Sequence, residues 1–201
     1  MKVLNLYAGI GGNRKLWTDV EVTAVEWNEK IAEAYQDFFP DDNMIVADAH
    51  QYLLEHYKEY DFIWSSPPCP THSRARFWAW GNKNPAYPDM TLYQEIIFLE
   101  HHFKGKYCVE NVKPYYKPLI EPQTLGRHCF WTNFIILEKK HQSTGNLVFN
   151  GTQQDWINKL GFDLTKYDFN NRKDQIYRNT VDPNIGKHIL NCAKGNTQQT
   201  L

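Results

Sequence analysis

Short apolar runs separated by helix-like patterns fill much of the chain. VLNLYA (3–8) has the length and composition of a buried strand and leads into the glycine turn GIGG (9–12). VTAVEW (22–27) predicts a second strand. Asn28 then caps a helix in which Ile31, Ala34, Tyr35 and Phe38 recur at helical spacing, ending before Pro40. MIVADA (44–49) predicts a third strand, followed by a helix through Leu53 and Leu54. DFIWSS (61–66) predicts a fourth and runs into SSPPCPTHSRAR (65–76). Thr91 and Gln94 have the spacing of a capping box before IIFLEHHF, and KYCVEN (106–111) and FIILE (134–138) predict two more strands. Strands alternating with helices in this way define an α/β fold with a doubly wound, mostly parallel sheet.

The rhythm stops over 139–172, a polar stretch with one short helix at TQQDWINKL (152–160) before Gly161, which reads as an insertion. Asp182-Pro183 then starts a last helix, with Asp as N-cap, Pro at the first helical position, and Ile185, Ile189 and Leu190 on the buried face. At 201 residues and 42% hydrophobic, the chain can bury one core. A single domain over 1–201 is expected, with 173–201 as a closing segment and C-terminal helix.

Composition removes some classes. The four cysteines (Cys69, Cys108, Cys129, Cys192) show no C-x-x-C spacing and the eight histidines no ligand template, so no metal is expected. There is no bilayer-length apolar run and no leader-like start, which makes a reducing cytoplasm the expected compartment and a membrane partner unexpected. The net charge of −1 hides an asymmetry: residues 1–61 carry twelve Asp+Glu and five Lys+Arg, residues 62–201 seventeen Lys+Arg and eleven Asp+Glu. A basic second part can meet a phosphate backbone, and the same counts also fit ordinary solvated charge.

Candidate chemistry falls at the carboxyl ends of the strands, where such sheets bind ligands. YAGIGG lacks the third glycine of G-x-G-x-x-G, which counts against a dinucleotide. Glu26 can accept both hydroxyls of a ribose, Trp27 can stack on a purine, and Asp48 can accept from an adenine amino group. Each has a plainer alternative: a solvated strand end, core packing, a helix N-cap. Together, at successive strand ends, they describe an adenosine-binding edge. Cys69, between Pro68 and Pro70, lies at the end of the fourth strand and Glu110, in VENV (109–112), at the end of the fifth. A thiol and a carboxyl group so placed suit attack on an electron-poor ring, with Cys adding to a carbon and Glu serving a ring nitrogen. Asn111 could orient the loop. Taken singly, a buried cysteine and a capping glutamate remain alternatives.

In order along nearly the whole chain, these motifs resemble the DNA cytosine-5 methyltransferase family. YAGIGG resembles its F-x-G-x-G-G turn, PCPTHS (68–73) its P-C-Q-x-F-S nucleophile loop, VENV its E-N-V, and QIYRNTVDP (175–183) its Q-x-G-N-S-V-x-P segment. Departures are Asn5 for a usual Asp, Pro70 for Gln, Arg178 for Gly, and a Q-x-R-x-R segment reduced to GRHCFW, where Arg127 is the counterpart. The resemblance implies a class I S-adenosylmethionine-dependent (Rossmann-like) fold. It implies S-adenosyl-L-methionine held by Tyr7, Ala8, Gly9, Gly11, Gly12, Glu26, Trp27, Asp48, Ala49, Pro68, Asn179 and Thr180. Catalysis would rest on Cys69, Glu110 and Arg127, methylating C5 of an extruded cytosine through a Cys69 adduct at C6. Double-stranded DNA would be met by Ser73, Arg74, Arg76, Lys139, Lys140, Arg172 and Lys173, with 139–172 as a short target-recognition region. So short a region resembles the compact phage or mobile-element form, in a bacterial or infected-host cytoplasm and a restriction-modification setting. Three other readings stay open: the same chemistry on RNA, a cofactor- or DNA-binding member without turnover, and an amino-group methyltransferase. The last uses S-P-P followed by an aromatic, and Cys69 cannot stack.

Overall fold

The computed structural model describes residues 1–77, 86–138 and 151–195. Its strands are β1 (Lys2–Leu6), β2 (Glu21–Glu26), β3 (Asn43–Val46), β4 (Phe62–Ser65), β5 (Lys106–Val112), β6 (Gln123–Leu125) and β7 (His128–Thr132). They form one sheet in the order β3-β2-β1-β4-β5-β7-β6, parallel from β3 to β5, with β7 antiparallel to both neighbours. The helices are α1 (Glu29–Phe38), α2 (Ala49–His56), α3 (Thr91–His102), α4 (Gln153–Leu160), α5 (Lys173–Asn179) and α6 (Pro183–Ala193).

The near-continuous apolar strands follow from burial on both faces. Along β4, Phe62 and Trp64 join the core on the α1 and α6 side, while Ile63 joins the core under α2 and α3. A third cluster is built by the region after 150: Trp156, Leu160, Phe162, Leu164, Phe169 and Tyr177 pack with Ile10 of the glycine turn and Ala34 of α1. The described part of 139–172 is thus fastened to the glycine-turn side of the domain. Among the described residues, no helix is long and apolar enough to cross a membrane.

Local chemistry explains most boundaries. The Asn28 side chain accepts from the Ile31 amide at 3.2 Å. Thr152 and Asp155 form a reciprocal capping box at α4, which ends at Gly161 in the left-handed region (φ 72°). Asp182 caps α6 with Pro183 at its first position.

Two expectations need correction. The Thr91–Gln94 capping box does not form: Met90 is the N-cap of α3, and Asp89 accepts from the Thr91 amide instead. FIILE (134–138) is not a strand. The Phe134 carbonyl is taken by the Gln123 and Thr132 side chains, the Ile136 amide by Gln123, and Ile135 is 77% exposed. The closing strands are instead β6 and β7, and α5 covers most of the segment read as a closing motif.

Helix α6 crosses the turn after β1 so closely that a Cβ on Gly186 would lie 2.1 Å from the Asn13 carbonyl oxygen. Backbone cannot yield there as a flexible side chain could. Gly186→Ala is therefore expected to lower unfolding stability by about 1–3 kcal/mol, read by urea denaturation.

Candidate active site

At the cofactor end, β1 stops at Leu6 and the chain turns through Tyr7 (φ 53°) and Gly9 (φ 54°). A Cβ on Gly9 would meet nothing within 4 Å, so the backbone is open to an approaching ligand. Gly12, by contrast, is covered, with Thr180 Cγ2 and the Val181 carbonyl 2.3 and 2.4 Å from where its Cβ would be. That contact brings the segment around Asn179 and Thr180 onto the glycine turn. Glu26 is buried, and its two oxygens accept the Gly9 and Asn28 amides at 3.0 Å each. Burial raises its pKa, while these backbone donors oppose the rise. Each oxygen keeps a further lone pair.

Trp27 is 74% exposed, which excludes core packing. Asp48 has two jobs: it caps α2 by accepting from the Gln51 amide at 2.8 Å, and it helps line a cleft of about 560 Å³. The cleft's other walls are Tyr7, His50, Gln51, Pro68, Asp89 and Thr91. Beneath it lies a residue that sequence reasoning missed. Glu95 of α3 is fully buried and is met by Tyr7 Oη at 2.6 Å, His50 Nδ1 at 3.0 Å and Ser65 Oγ. Its hydrogen bond and charge raise the His50 pKa, and burial followed by the Glu95 charge raises that of Tyr7. A signal existed, because Glu95 shares the helical spacing of Leu92, Ile96 and Leu99, all core residues.

At the chemistry end, Asn111 Nδ2 donates to the Pro67 carbonyl at 3.0 Å, so it does orient the loop. The loop then turns on Cys69, whose carbonyl accepts the His72 and Ser73 amides. Beyond it, the Tyr115 amide donates to the His72 carbonyl and Arg74 Nε to the Pro114 carbonyl, stitching the loop to residues that follow Glu110. Cys69 is partly exposed, whereas Cys108, Cys129 and Cys192 are buried. Burial first, and the Glu110 charge second, push the Cys69 thiol up to about 11, against a smaller opposing effect of Arg127. Cys69, Glu110 and Arg127 therefore share one electrostatic neighbourhood. Burial lowers the Arg127 pKa, and the Glu110 and Cys69 charges oppose this. A fourth member, unforeseen, is His128: its Nδ1 is bonded to Glu110 Oε1, and Arg127 Nε approaches its Nε2 at 3.2 Å.

The expected nucleic-acid contacts are less concentrated. Ser73 Oγ accepts from the Ala75 amide, and Arg74 and Arg76 lie on the short 3₁₀ turn that follows. Arg172 is exposed at the start of α5, and Lys173 Nζ donates to the Thr165 carbonyl. Lys139 and Lys140 lie outside the described residues.

Sheet order, open glycine turn and cleft define a class I S-adenosylmethionine-dependent methyltransferase of Rossmann-like type. The chain belongs to the C-5 cytosine-specific DNA methylase family, whose sequence model matches residues 1–119, and S-adenosylmethionine is its methyl donor. A methyltransferase of Entamoeba histolytica matches 99% of this chain with 99% of its own, with a TM-score of 0.59 at 10% identity, a likeness of fold alone. A Spodoptera frugiperda DNMT2 variant is 27% identical over 56% of this chain, with a TM-score of 0.39; this chain spans 35% of its length. No curated protein matches. The residues present fit the cofactor: an exposed indole, an open backbone at Gly9 and a cleft walled by Asp48 and Pro68 suit an adenosine.

The electrostatics of Cys69 can be read directly. Its alkylation by iodoacetamide should rise with pH toward a midpoint near 11. Glu110→Gln removes a repelling charge and should move that midpoint downward, and an unchanged midpoint would separate the two side chains.

Proposed function

We propose that this protein transfers the methyl group of S-adenosylmethionine to C5 of cytosine in double-stranded DNA, through a transient Cys69 adduct at C6. The observation that carries this reading is the convergence of Cys69, Glu110 and Arg127 at the ends of β4 and β5, beside the cofactor cleft.

When bound, the cofactor supplies an electrophilic methyl group. Trp27 would stack on its adenine, Glu26 would accept from its ribose and Asp48 from its amino group. Tyr7, Gly9 and Pro68 shape the surface around it, backed by the buried Ala8, Gly11, Gly12 and Ala49, and Asn179 and Thr180 close over the turn. The target base leaves the helix stack and enters beside Cys69. The Cys69 thiol passes its proton through water to the Glu110 carboxylate, and the thiolate so formed adds to C6 while Glu110 gives that proton to N3, so the electron pair of the C5–C6 bond becomes available at C5. After C5 takes the methyl group, water takes the C5 proton as Cys69 leaves as thiolate, and the N3 proton returns through Glu110 to the Cys69 sulfur. A resting thiol beside Glu110 suits this order, because protonating the carboxylate removes the charge that holds the thiol proton in place. Arg127 favours the thiolate. Arg74, Arg76, Arg172 and Lys173, with Lys139 and Lys140, supply cations for the phosphate backbone.

Trp27 separates binding from folding because it packs on so little. Trp27→Ala should leave unfolding stability within about 0.5 kcal/mol and weaken S-adenosylmethionine binding about three- to tenfold by calorimetry. Equal affinity in the two proteins would remove the indole from the site.

The reaction is tested with labelled S-adenosylmethionine and DNA or RNA, followed by identification of the methylated base. 5-Methylcytosine in DNA is expected. With 5-fluorocytosine in the DNA, the adduct should survive denaturation, because the C5 fluorine cannot leave as a proton would. Cys69→Ala should abolish both product and adduct. Methylation confined to RNA would reassign the substrate, and an N-methylated base would overturn the role of Cys69.

A further inference from the structure

We propose that His128 is the positioning residue of Glu110: its imidazole, oriented by Arg127, holds one carboxylate oxygen so that the other meets the target base. The inference rests on the cytosine reaction above and adds to it a residue to which the motif resemblance gave no role.

The backbone creates the meeting. In the antiparallel β5–β7 register, Glu110 faces Phe130 and Val112 faces His128. Glu110 and His128 are therefore diagonal neighbours on one face of the sheet, within side-chain reach. Both are 6% exposed, so each must find its hydrogen bonds inside the protein. His128 Nδ1 is bonded to Glu110 Oε1. Its other nitrogen faces Arg127 Nε at 3.2 Å, and a guanidinium can only donate. His128 Nε2 must then accept, which puts the ring proton on Nδ1 and makes Nδ1–H the donor to Glu110. Arg127 is anchored in turn, its Nη2 donating to the Arg178 carbonyl at 2.8 Å. A chain of three hydrogen bonds thus runs from the end of α5 through Arg127 and His128 to Glu110.

The consequence for the chemistry is specific. With Oε1 held by the imidazole, Oε2 is the oxygen that shares a proton with N3. As Cys69 adds to C6, the proton passes from Oε2 to N3, and the carboxylate that results is stabilised by the Nδ1–H donor already in place. On release N3 returns the proton to Glu110 as Cys69 leaves as thiolate, and His128 and Arg127 keep their charges throughout. His128 touches neither substrate nor cofactor. It acts through Glu110, and through Arg127 it links Glu110 to the segment that covers the glycine turn.

The test compares His128→Leu, which removes the donor, with His128→Asn, whose side-chain amide can place a donor near the Nδ1 position. His128→Leu should lower kcat about 10- to 100-fold, the range of a lost hydrogen bond to a charged group, with KM for DNA and cofactor affinity within about twofold. His128→Asn should recover most of that loss. Wild-type kcat in His128→Leu, or a loss that His128→Asn fails to recover, would overturn the assignment. A second measurement needs no turnover. The charged groups around Cys69 are Glu110 from β5 and Arg127 from the turn before β7. If His128 holds Glu110 in place, the shift in Cys69 alkylation midpoint caused by Glu110→Gln should shrink when His128 is Leu. The same shift in both backgrounds would overturn the proposal. Absence of 5-methylcytosine with the wild-type protein would refute the reaction, while the thiol measurement would still decide whether His128 places Glu110.

Discussion

One buried carboxylate fixes the shape of the cofactor cleft. Glu95 sits on α3, yet its partners come from three other places: Tyr7 just after β1, His50 in α2 after β3, and Ser65 at the end of β4. In the sheet β1 and β4 are neighbours, and β3 lies on the far side of β2, so the partners span four strands. A buried carboxylate without partners is costly, and removing one partner leaves a group that cannot be solvated, at about 1–3 kcal/mol. The cost falls on the arrangement as a whole, so the strand ends are held at a fixed spacing. Tyr7 is held in a backbone conformation that residues with side chains seldom adopt. The cleft walls of Tyr7, His50 and Pro68 follow from that anchoring.

The nucleophile loop is held by a different device, and its prolines explain why one is needed. Pro67, Pro68 and Pro70 have no backbone N–H, so the loop can make few hydrogen bonds of its own. Its carbonyls still require donors. Asn111, next to Glu110, supplies one to Pro67, and the amides of His72 and Ser73 return to Cys69. A single dipeptide on β5 thus carries the carboxyl group for the base and the amide that orients the cysteine loop. Any shift in β5 would move both together, which preserves their geometry relative to each other.

Much of this was legible in the sequence. Period and punctuation found the five parallel strands, because apolar runs buried on both faces leave a strong signal. The glycine turn, Glu26, Trp27, Asp48, Cys69 and Glu110 could be placed because each lies where a strand stops. What escaped depends on contacts between distant segments. FIILE has the composition of a strand, yet Gln123 and Thr132 side chains occupy its backbone groups. β6 and β7 are short, and β7 is buried almost throughout, so neither shows an alternating pattern. Glu95 and His128 were missed for a related reason. Their roles come from what faces them across the sheet or beneath it, and a buried polar residue gains its meaning from partners far away in sequence.

The C-terminal part shows how a short chain supports both ends of the site. Tyr177 of α5 donates to the Phe162 carbonyl and accepts from the Leu164 amide, and its ring lies parallel to that of Trp156 with centroids 6.3 Å apart. The region after 150 therefore sets where α5 ends. From that end, the Arg178 carbonyl takes Arg127, which reaches Glu110 through His128, while Thr180 and Val181 close on Gly12. Two neighbouring stretches of backbone thus connect to Glu110, through Arg127 and His128, and to the glycine turn. In a sheet enzyme these sites lie above different strands, and their separation has to be held constant during methyl transfer. Here the α5 terminus spans Glu110 and the glycine turn, so the packing that stabilises the C-terminal helices also fixes the distance between them.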